Sequence, residues 1–319
     1  MKVVSVINYK GGVGKTTLTA NLGAYAAMKG LRVLMIDLDP QTHLTFSFMT
    51  PEYWGKKYAD NMTLKDYFVP IIRGASELRS LSSLIIPLKT GNLLNNNVKM
   101  DLISSHLELI NIDVELAGLF SGTNSQMLAA NSLRGYSYLR KELDRLKDSY
   151  DLVLIDCPPN FYVMVKNAIL ASDYYIVPAR LDYLSTLGVA ELQKKVENYL
   201  KQYDEYMNIL EGDVRYRPVF LTMLGVVPTM VDIWKGDEPI TVQREYMSLM
   251  KKKGYHIFHY IRNNASLFGT SPSEGVPAVL TRPRFNLTAK RIVSELKILG
   301  EEFLKAVRLS SGSQALVKV

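Results

Sequence analysis

One cysteine, two tryptophans and four histidines stand in a chain of 319 residues. The lone Cys157 cannot close an intramolecular disulfide, so the fold must hold without one, and a reducing compartment is the default. It also excludes a bridged iron–sulfur cluster, which takes two cysteines from each subunit. His256 and His259 have no cysteine or carboxylate ligand close by in sequence, so no metal-ligand spacing arises. No apolar run reaches bilayer length. The longest, residues 219–231, is interrupted by Thr222, Gly225 and Pro228. The chain starts straight into Lys2-Val3-Val4-Ser5-Val6-Ile7 without a signal-peptide pattern and reads as soluble and cytoplasmic. Low complexity and internal repeats are absent too. With 47% apolar and 22% charged residues, the chain is an ordinary globular one, long enough to bury a core unaided.

What is present is an alternation of short apolar runs with amphipathic stretches, the pattern of a mostly parallel, twisted sheet with helices on both faces. Strands are expected at 3–7, 32–37, 107–112, 152–156, 174–178, 219–227 and 255–261, where near-continuous apolar character fits burial on both sides. Helices are expected at 16–29, 126–147, 161–171, 185–207, 242–252 and 288–307. Residues 42–105 are less regular: they hold Tyr53, Trp54 and Tyr58, a helix capped by Thr63, and an asparagine loop at 95–97. With no linker bounding it, this stretch reads as an elaboration of a single domain spanning 1–309. Residues 310–319 read as a flexible tail.

Chemistry concentrates in Tyr9-Lys10-Gly11-Gly12-Val13-Gly14-Lys15-Thr16-Thr17, which follows a strand and opens a helix. Glycines let several backbone N–H groups turn toward one point, and the helix N-terminus adds its partial positive charge. Lys15 supplies a full charge to phosphates, and the Thr16 hydroxyl is a Mg²⁺ ligand type. A glycine turn that merely packs a helix on a sheet would not need Lys and Thr there. Yet G-x-x-x-x-G-K-[ST] spacing asks for Gly at position 9, which is Tyr9, and an additional Lys10 sits beside it. Asp37 and Asp39 (Asp-Leu-Asp-Pro-Gln41) and Asp156 (Ile-Asp-Cys-Pro-Pro159) end strands where acids can hold Mg²⁺ or orient a water.

These segments resemble the ParA/MinD group of ATPases. Residues 10–17 are similar to its deviant Walker A motif of the P-loop NTPases, 37–41 and 155–159 to its next two motifs. Weaker similarity through 107–116, 171–178 and 224–230 extends over most of residues 1–290. Tyr9, where MinD-like chains usually carry Gly, and the Asp-Pro-Gln run favour the ParA branch. The resemblance implies ATP and Mg²⁺ as cofactors, slow partner-stimulated hydrolysis, and an ATP-sandwich homodimer in which Lys10 reaches the partner's nucleotide. It makes Gly11, Gly12, Val13 and Gly14 the phosphate cradle, Lys15 the phosphate lysine, Thr16 the Mg²⁺ ligand and Thr17 a phosphate contact. Asp39 matches the residue that positions or activates the hydrolytic water, Asp37 and Asp156 support the metal, and Thr229 falls at an adenine-contacting position. The loop at 262–266 borders the base. Leu267-Phe-Gly-Thr-Ser-Pro272 departs from the usual Leu-Ser-Glu-Ala-Pro run, and 42–105 is longer than usual; neither inherits a role.

The formal charge of +7 is concentrated late in the chain. Residues 282–319 carry an excess of five positive charges, with Arg282, Arg284, Lys290 and Arg291 leading. Arg244, Lys251, Lys252, Lys253 and Arg262 against Glu245 add four more. Charge runs are commonly just solvated helix faces. Combined with the resemblance, they imply non-specific, salt-sensitive DNA contact and a nucleoid-associated place. The expected function is plasmid or chromosome partition with a ParB-like centromere-binding partner. The same switch could position a protein cargo through an adaptor, or the fold could serve an ATP-dependent small-molecule ligase or kinase. A MinD-like membrane helix is disfavoured, because the stripe Leu296, Leu299, Phe303 and Leu304 lies among Glu295, Glu301 and Glu302. Tyrosine-kinase relatives carry a C-terminal tyrosine cluster, and no Tyr follows Tyr260.

Overall fold

The computed structural model describes residues 1–88, 99–210, 213–234, 238–282 and 286–309, the side chains of residues 270–274 excepted. The asparagine loop at 95–97, Arg284 and residues 310–319 lie outside the described residues. The strands are β1 (Lys2–Val6), β2 (Val33–Asp37), β3 (Ile86–Pro87), β4 (Met100–Ile103), β5 (Leu152–Asp156), β6 (Tyr174–Arg180) and β7 (Thr222–Thr229). They form one sheet in the order β3-β4-β2-β5-β1-β6-β7. All neighbours are parallel except the short edge pair β3–β4. β2 and β5 are buried along their whole length, which is why their sequences are runs and not alternations.

The helices are α1 (Lys15–Met28), α2 (His43–Phe46), α3 (Pro51–Lys57), α4 (Leu64–Ile72), α5 (Leu109–Gly118), α6 (Ser125–Tyr136), α7 (Tyr138–Arg145), α8 (Val163–Ala171), α9 (Tyr183–Ile209), α10 (Thr241–Lys252), α11 (Ala265–Glu274) and α12 (Leu287–Ala306). They cover both faces of the sheet. One core gathers α1, α2 and α12; the other gathers α4 to α9 together with Met250 of α10. α1 is buried nearly all round because the sheet lies on one side and α12 on the other. Gly300 of α12 permits that approach: a Cβ there would sit 2.3 Å from the Tyr25 ring. The stripe Leu296, Leu299, Phe303 and Leu304 is fully in this core. At about 1.5–3 kcal/mol for each side chain withdrawn from water, this burial holds α12 on the sheet, and the stripe is not presented at the surface.

Three expectations are corrected. Residues 107–112 form no strand. Leu109, Ile112, Asp113 and Leu116 are buried at helical spacing, so the 3.6 period wins over the apparent alternation, and α5 results. The strand of this region is β4, whose apolar run is broken by Asp101, buried and accepting from the Tyr150 hydroxyl at 2.6 Å. Residues 255–261 meet β7 in one isolated bridge, Val226–Ile257, and a second bridge, Val231–Arg262, lies just past both segments. Gly225 (φ 145) lies against the His256 carbonyl, where a Cβ would come within 2.4 Å, and Pro228 lacks an N–H, so regular pairing is interrupted. The long helix at 126–147 is two helices broken at Ser137. Thr63 does cap α4, in a reciprocal capping box with Asp66.

Asp113 ties α5 to α8 by accepting from the Met164 N–H at 2.9 Å. Burial pushes its carboxyl up to about 6, against the pull of those backbone donors and Lys166. A raised carboxyl stabilises the fold fully below pH 4, its ordinary range, and that contribution is lost as pH rises through about 6. Asp113→Asn, neutral at every pH, should therefore gain on the wild-type chain between pH 4 and pH 7. Thermal melts should show the difference in midpoint shifting by roughly 3 °C in its favour. A difference independent of pH would remove Asp113 from the titration.

Candidate nucleotide site

β1 ends at Val6, and residues 7–14 loop over the carboxyl end of the sheet before α1 begins. Gly12 (φ 65) and Gly14 (φ 81) occupy the left-handed region that side chains avoid. Gly14 stands at the N-cap with no capping side chain, and no acid lies in the first turn of α1. The first N–H groups of the helix are thus left to an incoming anion. Lys15 is buried, and its Nζ donates to the Lys10 carbonyl at 3.2 Å. Burial lowers its pKa, while Asp156 and Asp39 pull it back up. It is a cation held out of water among carboxylates.

Asp37 and Asp156 are register partners across β2 and β5, and both are fully buried. Asp156 accepts from the Thr16 hydroxyl at 2.7 Å and from the Thr19 hydroxyl at 3.2 Å. Burial pushes Asp156 up to about 7, aided by Asp39 and opposed by Thr16 and Lys15. Asp37 is raised well above the usual carboxylate range, first by burial and then by Asp156. Two buried carboxyls whose ionised forms repel each other favour a cation beside them, and with the Thr16 hydroxyl they are oxygen donors of the kind that fits Mg²⁺. Asp37 contributes differently. Its oxygens accept from the Thr45 N–H (2.9 Å), the Thr45 hydroxyl (2.8 Å) and the Asp39 N–H (3.2 Å). It folds the 39–45 loop over the site.

A cavity of about 500 Å³ lies over the glycine loop, walled by Asp39, Gln41, His43 and Phe46. It adjoins a second, more apolar cavity of about 210 Å³ through shared residues Gly14, Thr17 and Met230. The second is lined by Thr229, Arg262, Asn263, Asn264 and Phe268. Together they form one continuous cleft over the loop, the second part more apolar than the first, as ligand sites commonly are. Thr229 is buried there and donates its proton to the Val13 carbonyl at 2.8 Å. It props the loop and offers a base only its lone pairs. Arg262, although it lines this cavity, has its guanidinium engaged in a buried ion pair with Glu295 of α12.

Several site residues carried no signal in sequence. Thr19 reads as an ordinary helix position and Thr45 falls in the irregular 42–105 stretch, yet each holds a buried aspartate. Asn8 fixes the loop entry: its amide donates to the Pro178 carbonyl at 2.7 Å, and its oxygen accepts from the Lys10 N–H at 3.0 Å. His43 and Phe46 bring the 42–105 stretch into the cavity wall. Lys10 does not project outward in the isolated chain. Its Nζ donates to Asp182 at 3.0 Å and to Ser185 at 3.2 Å, both on the start of α9. Cys157 is buried, and burial raises its thiol far above the usual range, leaving it unreactive.

The basic clusters are smaller than their sequence count. Arg262 is neutralised in the core, and Arg244 pairs with Glu238. Lys251, Lys252 and Lys253 are exposed at the end of α10, and Arg282, Lys290 and Arg291 are exposed around the start of α12. α10 packs into one core through Met250 and α12 into the other, so the clusters flank opposite faces of the sheet.

A strand–glycine loop–helix with a buried lysine, a hydroxyl–carboxylate pair and an additional loop lysine defines a P-loop ATPase of the deviant Walker A type. The AAA_31 family (AAA domain) matches residues 1–209, and the chain belongs to this family, as an ATPase of the ParA/MinD type. The sporulation initiation inhibitor protein Soj of Bacillus subtilis is 28% identical over 283 residues, 89% of this chain and 92% of Soj. The ATP complex of a McdA variant from Cyanothece is similar in fold, with a TM-score of 0.69 and 20% identity over 98% of this chain and 99% of that one. A plasmid partition protein from Borrelia burgdorferi follows at 0.58 and 21%, covering 95% and 98%.

Proposed function

We propose that this chain is an ATP-driven DNA-segregation switch, cytoplasmic and nucleoid-associated, built as one domain over residues 1–309. It binds ATP with Mg²⁺, pairs with a second copy across the phosphate-loop pole and holds DNA without reading its sequence. Hydrolysis, stimulated by a ParB-like centromere-binding partner or adaptor, releases it. One observation carries this reading: Lys15, the Thr16–Asp156 pair, Asp39 and the bare N-terminus of α1 converge on a single cavity. The partition protein among the structural neighbours supports it. So does the exposed apolar pair Tyr183 and Leu184, 62% and 70% exposed, which directly follows Asp182, the partner of Lys10. Patches of this kind mark association surfaces, and a second copy seated there would close the cavity to water. No helix among the described residues is long and apolar enough to cross a membrane.

In this reading the N–H groups of residues 11–17 and Lys15 bind the β- and γ-phosphates. Mg²⁺, when bound, neutralises phosphate charge and would be held by Thr16 with Asp156 behind it. Asp39 orients the attacking water toward the γ-phosphorus, and the bond to the bridging oxygen breaks to give ADP and phosphate. Lys10 crosses to the second copy's phosphates. Thr229 and the 262–266 loop flank the base.

Binding of duplex DNA with ATP, with ADP and without nucleotide, over a salt series, tests the switch. Binding is expected with ATP alone and to fall steeply with salt. Replacing Lys251, Lys252 and Lys253 by alanine, or Arg282, Lys290 and Arg291, should lower the slope of log K against log salt by up to about 3 for whichever face meets the duplex. Binding indifferent to nucleotide would end this reading.

A further inference from the structure

Both lysines of the phosphate loop are occupied inside the chain. Lys15 Nζ donates to the Lys10 carbonyl, and Lys10 Nζ donates to Asp182 Oδ2 and Ser185 Oγ. Asp182 is the N-cap of α9, its Oδ1 accepting from the Ser185 N–H at 2.7 Å. The side chains of Lys10 and Asp182 are each 41% exposed, so the contact lies at the rim and not in the core. Between the two lysines, Gly11 and Gly12 have open space where a Cβ would be, so no neighbouring side chain packs against this half of the loop, while Val13 is held by Thr229. Immediately after Asp182 come Tyr183 and Leu184, the exposed apolar pair.

We infer that Asp182 is a positioning residue: it holds Lys10 within its own subunit and so sets the threshold at which two copies pair. This rests on the proposed ATP-driven pairing. A phosphate that draws Lys15 Nζ to itself takes it from the Lys10 carbonyl and removes the second tether on that segment. Lys10 can then exchange a half-exposed carboxylate for the phosphates of the facing copy. The chemistry suits release. A half-exposed ion pair shifts an equilibrium by only about 2–5-fold, whereas a buried one would not let go. Because a symmetric pair of subunits opens two such contacts, removing them should tighten pairing by roughly 4–25-fold.

Asp182→Asn removes the charge and keeps a good N-cap. Asp182→Glu keeps the charge and weakens the cap, which separates the two roles. In nucleotide-free protein, acetylation of Lys10 by an amine-reactive ester, read by peptide mass spectrometry, should be several-fold faster in Asp182→Asn and remain slow in Asp182→Glu. Sedimentation at saturating ATP should give a dimer dissociation constant roughly 4–25-fold lower for Asp182→Asn. Equal Lys10 labelling in the wild-type and Asn proteins overturns the inference, as does faster labelling with unchanged pairing. A wild-type chain that never pairs with ATP overturns the proposed function instead, while the labelling still decides whether Asp182 holds Lys10.

Discussion

Lys15→Ala should lower ATP affinity by at least about 100-fold, some 2.7 kcal/mol. The side chain is buried beneath the phosphate cavity, and Asp37, Asp39 and Asp156 all converge on the same end of the sheet. Removing the ammonium leaves a site of carboxylates and backbone dipoles facing an anion. Two effects add: loss of charge-assisted hydrogen bonds, worth ~1.5–3 kcal/mol each, and unscreened repulsion by buried acids. Calorimetric titration with ATP and Mg²⁺ reads the outcome. Lys15→Arg should recover little, since the space holds an amine enclosed by protein and a planar guanidinium is larger and wants a different geometry. Binding within threefold of wild type would show that the helix N-terminus alone holds the phosphates.

Asp39→Ala should leave ATP affinity nearly unchanged and slow hydrolysis by about 10²–10³-fold. The two properties separate because Asp39 holds neither Lys15 nor Thr16 by a hydrogen bond. Its Oδ1 accepts from the Gln41 N–H at 3.0 Å, a local turn that aims the carboxyl over the cavity. Asp39→Asn keeps that turn and loses the charge, so it distinguishes orienting a water from polarising it. Single-turnover hydrolysis at saturating ATP is the measurement. Undiminished turnover in Asp39→Ala would take the water-positioning role from this residue. Trapped ATP would also prolong pairing and DNA retention, linking this result to the salt series.

Where the sequence was readable, the reason was local. The glycine loop, Lys15 and Thr16 are contiguous, and backbone freedom, charge and hydroxyl act at fixed offsets along one turn. β1, β2, β5 and β6 announce themselves because strands buried on both faces must be apolar throughout. β4 hides because Asp101 is paired with Tyr150, which lies just before β5, and no nearby residue signals that partner. α5 hides because a run of alternating apolar residues also satisfies a helical stripe, and only the neighbouring layer decides between them. Thr19 gains its role from an aspartate 137 positions along the chain, and Thr45 from Asp37, eight positions back across a loop whose path only the fold sets.

The sequence by itself determined the loop chemistry, the parallel sheet and the family, because each is written in short segments whose physics is complete within a few residues. Tertiary structure decided which charges remain available. Arg262 is cancelled by Glu295, 33 positions away, and Lys10 is held by Asp182, 172 positions away. The two basic clusters, neighbours in a charge count, lie toward opposite faces of the sheet. Electrostatic attraction depends on distance through space and on exposure to water, and neither is fixed until the chain has folded.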